Sequence, residues 1–535
     1  MTARIGLDFG TANTVVARWD ETLGRGEPVP LEGADLLREG TRGVRQRVVP
    51  SLLAYDADGE RRWLGAQVTP ELAARPGVTV FQSTKSNLTG RAADIPRPVG
   101  DRKISGREAA ARFLGDVMAL ATLAAGADDL EIVATAPVEA FDTYRDWLVR
   151  EVADGPARIR VVDEATAAAV GYSARMNPGQ VFCVFDFGAG TLDVSAVRVQ
   201  DPERGLAGGG PGVRVVAKAG VDLGGNHIDA LLAEHAADEA GLSHADAVAR
   251  NRVFRALLAS AESAKVALAR EDAAEIGAVD PVTGRRYAAE ITRSAFDRML
   301  RERDVLGRVT RTLRKVLDGA AAKGYPAGEM AGMFLVGGSS LIPAVRDAIA
   351  LQFDPESVHL DRPLEAVAAG AAGIAGGHEL HDHIQHDYVI RHVDQETGVY
   401  GFEPLVESGT PYPTPEPVRS LGIRAVRDGQ RRLGLAIYEL AHATHRDAAD
   451  LEIVFDAAGG ARAVQVTAQR KQERAMVWLN EETPTFLEAD PPAAAGADRF
   501  RLDFRVDPQK RLTVSAFDLV RRVWVLEGHP VVRLA

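Results

Sequence analysis

Two short segments of this sequence combine a carboxylate with a run of small residues, a pattern suited to holding phosphate groups. The first runs from Asp8 to Asn13 and the second from Asp186 to Thr191. Phosphates are bound by backbone amides in tight turns, which require residues with little or no side chain. A carboxylate beside such a turn fits a hydrated magnesium ion that lies between it and the phosphates. The pattern therefore predicts a phosphate and Mg²⁺ site, although two ordinary glycine turns would have the same residues.

The two segments belong to an internal repeat. Residues 5–14 and residues 184–193 both read as an apolar strand, Asp-Phe-Gly, a turn of small residues and a second strand. Neither segment matches the Walker pattern, and neither opens a long helix as in dinucleotide-binding folds. The simplest interpretation is a duplicated half-domain whose two hairpins clamp one nucleotide from opposite sides. Chance similarity of two glycine-rich turns is the alternative.

Three further segments place glycines or a carboxylate where a helix begins. Glu164 lies between a strand and the helical run that follows it, the junction at which open α/β sheets place ligands. Gly224 and Gly225 open another helical segment. Residues 335–343 read as a strand, a Gly-Gly turn and a helix start, and such a turn lets a base or a ribose lie against bare backbone.

The elements that must position these residues alternate between strand and helix in the first part of the chain. The sequence predicts strands at 5–9, 15–19, 130–135 and 159–162 and helices at 105–125, 138–153 and 365–377. This order predicts an α/β fold with a mostly parallel sheet. Ser105 is the expected N-terminal cap of the helix at 105–125, because Glu108 follows it at the capping-box spacing.

The pattern changes to period two after residue 387. Residues 433–440, 451–455, 463–468, 500–506 and 511–517 all read as strands, and residues 491–498 read as a loop. We expect an antiparallel β-sandwich in this region. The predicted organisation is a nucleotide-binding domain at 1–376, a His-rich linker at 377–386 and a β-domain at 387–535.

Composition excludes several classes of protein. The 535 residues carry a net charge of −12, and 46% of them are hydrophobic, which excludes a disordered chain. The acidic balance argues against nucleic acid or an anionic membrane as a partner. Cys183 is the single cysteine, so no internal disulfide can form, and a lone thiol fits a reducing cytoplasm. We found no signal peptide or transmembrane pattern, and we expect a cytoplasmic protein.

Taken in order, these motifs resemble the nucleotide-binding domain shared by actin, sugar kinases and the 70-kilodalton heat-shock chaperones. The chaperone family is much the most similar of the three. The resemblance covers nearly the whole chain, and the segments that carry it are 5–17, 50–52, 163–170, 185–193, 223–229, 261–268, 336–343, 365–372, 404–406, 412–414 and 500–517. It implies a two-lobed, actin-like ATPase domain of α/β fold followed by an all-β sandwich domain.

The resemblance also implies roles for individual residues. Asp8, Glu164 and Asp186 would hold the hydrated Mg²⁺ and position water, and Thr191 would help to place the attacking water, which makes these four the catalytic candidates. The residues implied to hold ATP or ADP are Gly10, Thr11, Ala12, Asn13, Gly188, Ala189, Gly190, Thr191, Gly224, Gly225, Glu262, Lys265, Gly338, Ser339 and Ser340. Glu262 and Lys265 would reach the ribose, although without the family context a surface salt bridge between them is the simpler interpretation.

Several positions depart from the family pattern. Thr69 stands where the family has a lysine that approaches the transferred phosphate, while Lys85 aligns with a different lysine and is the competing candidate. Leu341 stands where an arginine stacks on adenine, and Val266 and Ala269 replace polar contacts to the nucleoside. Asp163 and Ala165 replace the Asn and Pro that flank the glutamate, and Ala12 replaces a hydroxyl residue. We therefore expect nucleotide binding with very slow hydrolysis, because one fixed cation is missing.

The segment between the two predicted domains also departs from the family, which has an apolar linker flanked by acidic residues. Here the stretch contains His378, His381, His383, His386 and His392. We interpret it as a solvated linker, with a metal site as the alternative. The sequence ends at Ala535 without the family's helical lid, so we expect a short, lidless member.

Three functions follow from the resemblance. The first is a chaperone-like protein that hydrolyses ATP slowly and binds unfolded or extended peptide segments, with co-chaperones as further partners. The second is a hydrolysis-deficient nucleotide sensor or scaffold that docks a dedicated protein partner. The third is a small-molecule kinase of the same superfamily, against which the β-domain and the motif order argue.

Overall fold

The computed structural model describes residues 2–39, 44–73, 75–82, 85, 88, 95–127, 129–138, 142–152, 158–173, 175–200, 212–242, 245, 247–378, 380–381, 384, 386–393, 400–440, 451–455, 461–465, 476–480, 484–507 and 510–534. Contacts divide the chain into two compact units. The first unit comprises Met1–Val138, Trp147–His381 and Asp447–Val466, and the second comprises Glu139–Asp146, Asp382–Arg446 and Thr467–Ala535.

The elements of the first two hundred residues are, in chain order, β1 (Thr2–Phe9), β2 (Asn13–Asp20), β3 (Arg25–Pro28), β4 (Leu36–Glu39), β5 (Arg45–Pro50), β6 (Leu53–Tyr55), β7 (Arg62–Leu64), α1 (Pro70–Ala73), β8 (Thr79–Phe81), β9 (Arg97–Val99), β10 (Arg102–Ile104), α2 (Gly106–Ala125), β11 (Asp129–Ala136), α3 (Asp142–Val152), β12 (Arg158–Asp163), α4 (Glu164–Ser173), β13 (Val181–Phe187) and β14 (Leu192–Val199). The helix α2 begins at the predicted cap, where Ser105 and Glu108 form a capping box.

The next elements are β15 (Val213–Val221), α5 (Gly225–Glu239), α6 (Ala247–Leu268), β16 (Ala273–Val279), β17 (Arg286–Thr292), α7 (Arg293–Glu302), α8 (Val305–Ala321), β18 (Met333–Val336), α9 (Pro343–Ala350), β19 (Val358–His359), α10 (Ala366–Ala375) and β20 (Leu380–His381). The last elements are β21 (Asp387–Val393), β22 (Tyr400–Val406), β23 (Arg419–Arg424), β24 (Gln430–Leu435), β25 (Ile437–Leu440), β26 (Leu451–Phe455), β27 (Ala461–Gln465), β28 (Met476–Trp478), β29 (Thr485–Ala493), β30 (Asp498–Val506), β31 (Arg511–Asp518) and β32 (Val523–Arg533).

The first unit contains two sheets with the same plan. Five strands of one sheet follow the order β12-β11-β1-β2-β3, and five strands of the other follow β19-β18-β13-β14-β15. Their directions also match: the first three strands of each series are parallel to one another, and the last three are antiparallel. This correspondence extends the internal repeat seen in the sequence from ten residues to a whole half of the unit.

The sheets are mixed, so the prediction of a mostly parallel sheet was wrong. In the seven-stranded sheet β2 pairs in antiparallel fashion with β1, β3 and β5, and β4 pairs the same way with β5. The cause is local: the Asp-Phe-Gly turns close tight hairpins, and a hairpin makes its two strands antiparallel. The prediction of a parallel sheet was based on the repeated strand–helix order, which does not count the antiparallel strands that these hairpins add.

Two helices cross where the halves of the first unit meet. α4 follows β12 of one sheet and α10 follows β19 of the other, and each occupies the same place in its half. They approach so closely that a Cβ added to Gly370 would lie 1.7 Å from the carbonyl oxygen of Ala167. Small residues at the crossing, including Gly171, allow this contact.

A buried ion pair also joins the two halves. Lys218 Nζ on β15 lies 2.5 Å from Asp163 Oδ2 at the end of β12, and the two side chains are 1% and 0% exposed. The strands belong to different sheets. The aspartate that departs from the family pattern therefore has a cationic partner in the other half.

The second unit has an antiparallel β core. Two four-stranded sheets, β22-β21-β25-β28 and β23-β30-β31-β32, contribute side chains to one cluster that includes Tyr388, Ile390, Phe500 and Phe504. This arrangement is consistent with the predicted sandwich. Two details differ from the prediction: the run 433–440 is divided between β24 and β25, and residues 491–493 continue β29 rather than forming a loop.

The histidines of the 377–392 stretch do not form one solvated linker. His378 is 8% exposed and packs edge-on against Trp19, with 5.2 Å between the ring centroids. His386 is buried, and its Nδ1 lies 2.7 Å from Glu439 Oε1. His381 lies in β20, which pairs with β15, and His392 is exposed on β21, while His383 falls outside the described residues.

Candidate functional site: a cavity between two glycine loops in the first unit

The two predicted glycine loops face each other. The loop between β1 and β2 contains Gly10, where a Cβ would lie 2.1 Å from the carbonyl oxygen of Asn13. In the loop between β13 and β14, the amide of Gly188 donates to the carbonyl of Thr191 at 3.0 Å. A Cβ on Gly190 would lie 2.7 Å from Thr11 Oγ1. The two hairpins therefore face each other and approach closely at Gly190 and Thr11, as the repeat predicted.

Three carboxylates line the floor between the loops. Asp8 and Asp186 are the penultimate residues of β1 and β13, and Glu164 begins α4. Burial, and then the negative charge of Glu164, raise the pKa of Asp8 from 3.8 to about 7. Burial, and then the charges of Glu164, Asp8 and Asp193, raise the pKa of Asp186 well above its usual range. Such a cluster is stabilised by a cation.

Lys85 supplies a positive charge at this floor. Its Nζ forms an ion pair with Glu164 Oε1, and the two side chains are 8% and 9% exposed. Its positive charge opposes the upward shifts in the pKa values of Asp8 and Asp186. Lys85, the competing candidate for the family lysine, therefore lies in the cavity, and the expectation that a fixed cation is missing is wrong.

Thr69 lies elsewhere. Its hydroxyl accepts a hydrogen bond from the amide of Leu72 at 3.2 Å, which caps α1, and the residue is exposed. It is not among the residues that line the cavity.

The next wall of the site supports the second glycine loop. The amide of Gly225 donates to the carbonyl of Gly188 at 3.0 Å, and the amide of Asn226 donates to the carbonyl of Ala189 at 2.8 Å. A Cβ on Gly224 would lie 2.2 Å from that Ala189 oxygen. The start of α5 therefore rests directly on the loop and holds its shape.

The residues of the Gly-Gly-Ser-Ser turn at 337–340 do not all line the cavity. Ser339 Oγ donates to the carbonyl of Gly188 at 2.8 Å, and Ser339 and Gly338 line the cavity. Ser340 is fully buried, and its Oγ donates to the carbonyl of Gly337 at 2.6 Å. Of the predicted nucleotide-binding residues, the structure leaves three outside the cavity lining, namely Gly224, Gly225 and Ser340.

One face of α6 and the turn after it form the long wall. Glu262, Lys265, Val266, Ala269 and Arg270 all line the cavity, and their spacing of three and four residues places them on one side of a helix. Lys265 Nζ lies 2.8 Å from Asp229 Oδ2 on α5. Burial raises the pKa of Asp229 to about 6 although Lys265 opposes this shift. Lys265 thus forms its ion pair with Asp229 on α5, whereas sequence reasoning had considered Glu262.

These groups enclose one cavity of about 540 Å³, a size typical of sites for ligands as large as a nucleotide. It is also lined by Arg38, Leu341, Ile342, Arg346 and Leu364, which sequence reasoning did not assign to the site as ligand contacts. Arg38 carried no signal, because a single arginine in a strand is ordinary. Arg270 could have been found by extending the helical spacing four residues beyond Val266.

The carboxylates suit a hydrated cation better than a bare one. Within the described part of the chain, the acidic, histidine and cysteine side chains form no group of three or more close enough to ligate a metal directly. Burial, and then the charge of Glu164, raise the pKa values of both Asp8 and Asp186, so the carboxylates lie in one buried, negatively charged region. Magnesium keeps several of its waters in proteins, so these residues fit Mg²⁺ held through water.

The fold and the cavity define an α/β protein with a duplicated sheet and a polar site between its halves. A family model described as "Hsp70 protein" matches residues 153–451, more than half of the sequence. The chain belongs to the Hsp70 family. No helix among the described residues is long and apolar enough to cross a membrane.

Curated relatives agree with this family. A protein named "Chaperone protein HscA homolog" from Burkholderia pseudomallei (strain 668) is 29% identical over 96% of this chain and 76% of its own length. Proteins of the same name from Burkholderia mallei (strain SAVP1) and Burkholderia thailandensis are 29% and 28% identical over the same shares. The similarity therefore spans both compact units.

Proposed function

We propose that this chain is an ATP-dependent, chaperone-like protein whose first unit binds and hydrolyses magnesium–ATP. The observation that carries the proposal is the meeting of two glycine loops, three carboxylates and Lys85 in one cavity. Backbone amides of the loops would cradle the phosphates, and the carboxylates would hold the waters of Mg²⁺. Bound Mg²⁺ supplies charge neutralisation at the phosphates.

The chain's own residues then account for hydrolysis. Phosphoryl transfer depends mainly on positioning and on charge that meets the developing negative charge. Lys85 Nζ pairs with Glu164, and on nucleotide binding it can pair with a phosphate oxygen instead. Glu164 can then accept a hydrogen bond from water. Asp186 and Thr191 lie together at the β13–β14 hairpin, with the carboxylate able to accept a proton from a water that the hydroxyl orients.

We further propose that the second unit binds extended peptide. Its sheet β22-β21-β25-β28 carries Tyr400 and Phe402, which are 62% and 41% exposed. Arg391 lies among them, 4.6 Å from the ring centroid of Tyr400 and 4.8 Å from that of Trp478. Aromatic residues and arginine are the types that dominate protein-binding surfaces. A dedicated protein partner is the alternative occupant.

The test of the nucleotide function is calorimetric titration with ATP and ADP, with and without Mg²⁺, beside a phosphate-release assay. We expect Mg²⁺-dependent binding and measurable turnover. In Asp186→Ala, turnover should fall by about a hundredfold or more because one electrostatic element of the site is lost, while nucleotide still binds to the intact loops. The exposed variant Asp318→Ala is the control.

The outcomes separate the candidate functions. Binding without phosphate release would support the hydrolysis-deficient scaffold. Unchanged turnover in Asp186→Ala would remove this carboxylate from the reaction. If neither nucleotide binds, the proposal fails.

A further inference from the structure

The carboxylate floor of the cavity is assembled from both halves of the first unit. Asp8 lies on β1, and Glu164 directly follows β12, a strand of the same sheet. Asp186 lies on β13 of the other sheet. The separation of these carboxylates therefore depends on how the two halves are held together. Their joint hold on the waters of Mg²⁺ depends on the same separation.

The buried pair of Lys218 and Asp163 joins the two halves at the residue next to this floor. Asp163 is the last residue of β12 and immediately precedes Glu164. It lies opposite Ala136 of β11, and Lys218 lies opposite Ser195 of β14, so each backbone is fixed in its own sheet. The side chains bridge the two sheets, with 2.5 Å between Nζ and Oδ2 and with exposed fractions of 1% and 0%. A shift of one half against the other would break this contact or move Glu164.

This pair does not itself form part of the cavity wall. Neither of its residues is among those that line the cavity. The lysine whose charge opposes the upward pKa shifts of Asp8 and Asp186 is Lys85. Lys85 pairs with the carboxylate of Glu164, whereas Lys218 pairs with the residue that precedes it. Lys218 can therefore act on the site only through the position of Glu164.

Stability alone is a poor explanation for a pair that is buried so completely. The removal of two charges from water costs about as much free energy as their attraction returns, and well-packed neutral side chains are often as stable. An ion pair of this kind does fix a distance and a direction between the two elements that carry it. Groups that orient the holders of a metal ion act in this way, and their loss weakens metal binding or activity.

We propose that Lys218 is a positioning residue of the nucleotide site, because its ion pair with Asp163 fixes Glu164 relative to Asp186 and so sets how the two halves together hold hydrated Mg²⁺. The inference rests on the proposed nucleotide function and deepens it. The glycine loops are outside this effect, so the pair should influence the contribution of Mg²⁺ to binding and not the binding of the nucleotide alone.

The decisive variant is the double replacement Asp163→Asn with Lys218→Met, because either change alone leaves the other charge buried without this partner. Calorimetric titration of the full chain with ADP, with and without Mg²⁺, gives the factor by which Mg²⁺ strengthens binding. We expect this factor to fall by about tenfold or more in the double variant, the usual cost of losing a group that orients a metal-holding residue. ADP affinity without Mg²⁺ should stay the same, and phosphate release at saturating ATP should fall with the Mg²⁺ factor.

The second unit offers a matched control. Arg499 and Asp518 form another buried ion pair, with 2.7 Å between the charged atoms and exposed fractions of 3% and 0%. The double replacement Arg499→Met with Asp518→Asn removes the same kinds of charge far along the chain from the cavity residues. It should leave the Mg²⁺ factor unchanged, and scanning calorimetry compares the stability of the two double variants.

Each other outcome has a defined meaning. An unchanged Mg²⁺ factor in the Asp163 and Lys218 double variant would overturn the inference and leave the nucleotide function intact. Equal losses of ADP affinity with and without Mg²⁺ would also overturn it, because the pair would then support the whole cavity. So would loss of folding in this variant, or a similar loss of the Mg²⁺ factor in the control, since the pair would then serve stability. If the unaltered chain binds no nucleotide, the proposed function itself fails.

Discussion

At the scale of single residues, Lys85 changes the expectation for catalysis. Lys85→Met should lower turnover by about a hundredfold or more, because a fixed cation next to the phosphates is lost. Thr69→Lys should leave turnover unchanged, since Thr69 caps α1 on the surface. Phosphate release at saturating ATP measures both.

Lys103→Met, at an exposed position of β10, is the control for the loss of a lysine. A rise in turnover in Thr69→Lys together with normal turnover in Lys85→Met would show that the cation enters from the α1 cap after all.

Asp8 makes the folding stability of the metal-free protein depend on pH. Its pKa is 3.8 in an unfolded chain and about 7 in the folded protein. The unfolded state therefore loses this proton first, so the free energy of unfolding falls as pH rises from about 4 to about 7. Asp8→Asn should raise the melting temperature of the metal-free protein at pH 8 by more than at pH 5.

Scanning calorimetry at the two pH values, without nucleotide or Mg²⁺, measures this difference. An equal gain at both would mean that the folded carboxyl titrates normally. Because Mg²⁺ requires the ionised form, its binding should strengthen over the same pH range.

At the scale of elements, the crossing of α4 and α10 depends on a glycine. Gly370→Ala should destabilise the protein by about 3 kcal/mol or more, because its Cβ would overlap the backbone of Ala167. In Gly373→Ala, on the same helix, the nearest atom to the new Cβ is Val170 Cγ1 at 3.5 Å, an ordinary contact distance, so the change should be neutral or stabilising by up to about 1 kcal/mol. Urea unfolding curves compare the two.

Similar losses in both variants would show that α10 needs glycine for backbone freedom and not for close packing.

The elements were largely predictable where the signal was local. The strands around Asp8 and Asp186, the cap at Ser105 and the hairpin after Phe500 are set by neighbouring residues, and the structure confirms them. The relative direction of the strands in each sheet was not predictable, because it depends on which strands pair, and the residue pattern within a strand does not specify its distant partner. For the same reason the sequence could offer Lys85 only as a competing candidate, since its approach to Glu164 joins residues 79 positions apart.

At the scale of the molecule, the two functions should separate by truncation. All the residues that line the cavity lie before residue 377, so a 1–377 fragment should remain folded and bind nucleotide. It should not bind extended peptide, because Arg391, Phe402 and Trp478 are absent from it. A 1–381 fragment keeps β20, which pairs with β15, and should be somewhat more stable.

Circular dichroism, calorimetry and the anisotropy of a labelled unfolded peptide test the fragments against the full chain. Aggregated fragments would place the domain boundary elsewhere, or would show that the β26–β27 hairpin, which falls in the first unit, is required for folding.

The buried pair of Lys218 and Asp163 also constrains how this sequence can have changed over time. Replacement of either residue alone leaves the other charge buried without this partner, at a cost of about 3–5 kcal/mol, which is a large part of the stability of a typical domain. A lineage could exchange the pair for two neutral residues only by crossing that barrier or by changing both positions nearly together. Among relatives, an acid at position 163 should therefore accompany a base at position 218, and the pair should mark one branch of the family.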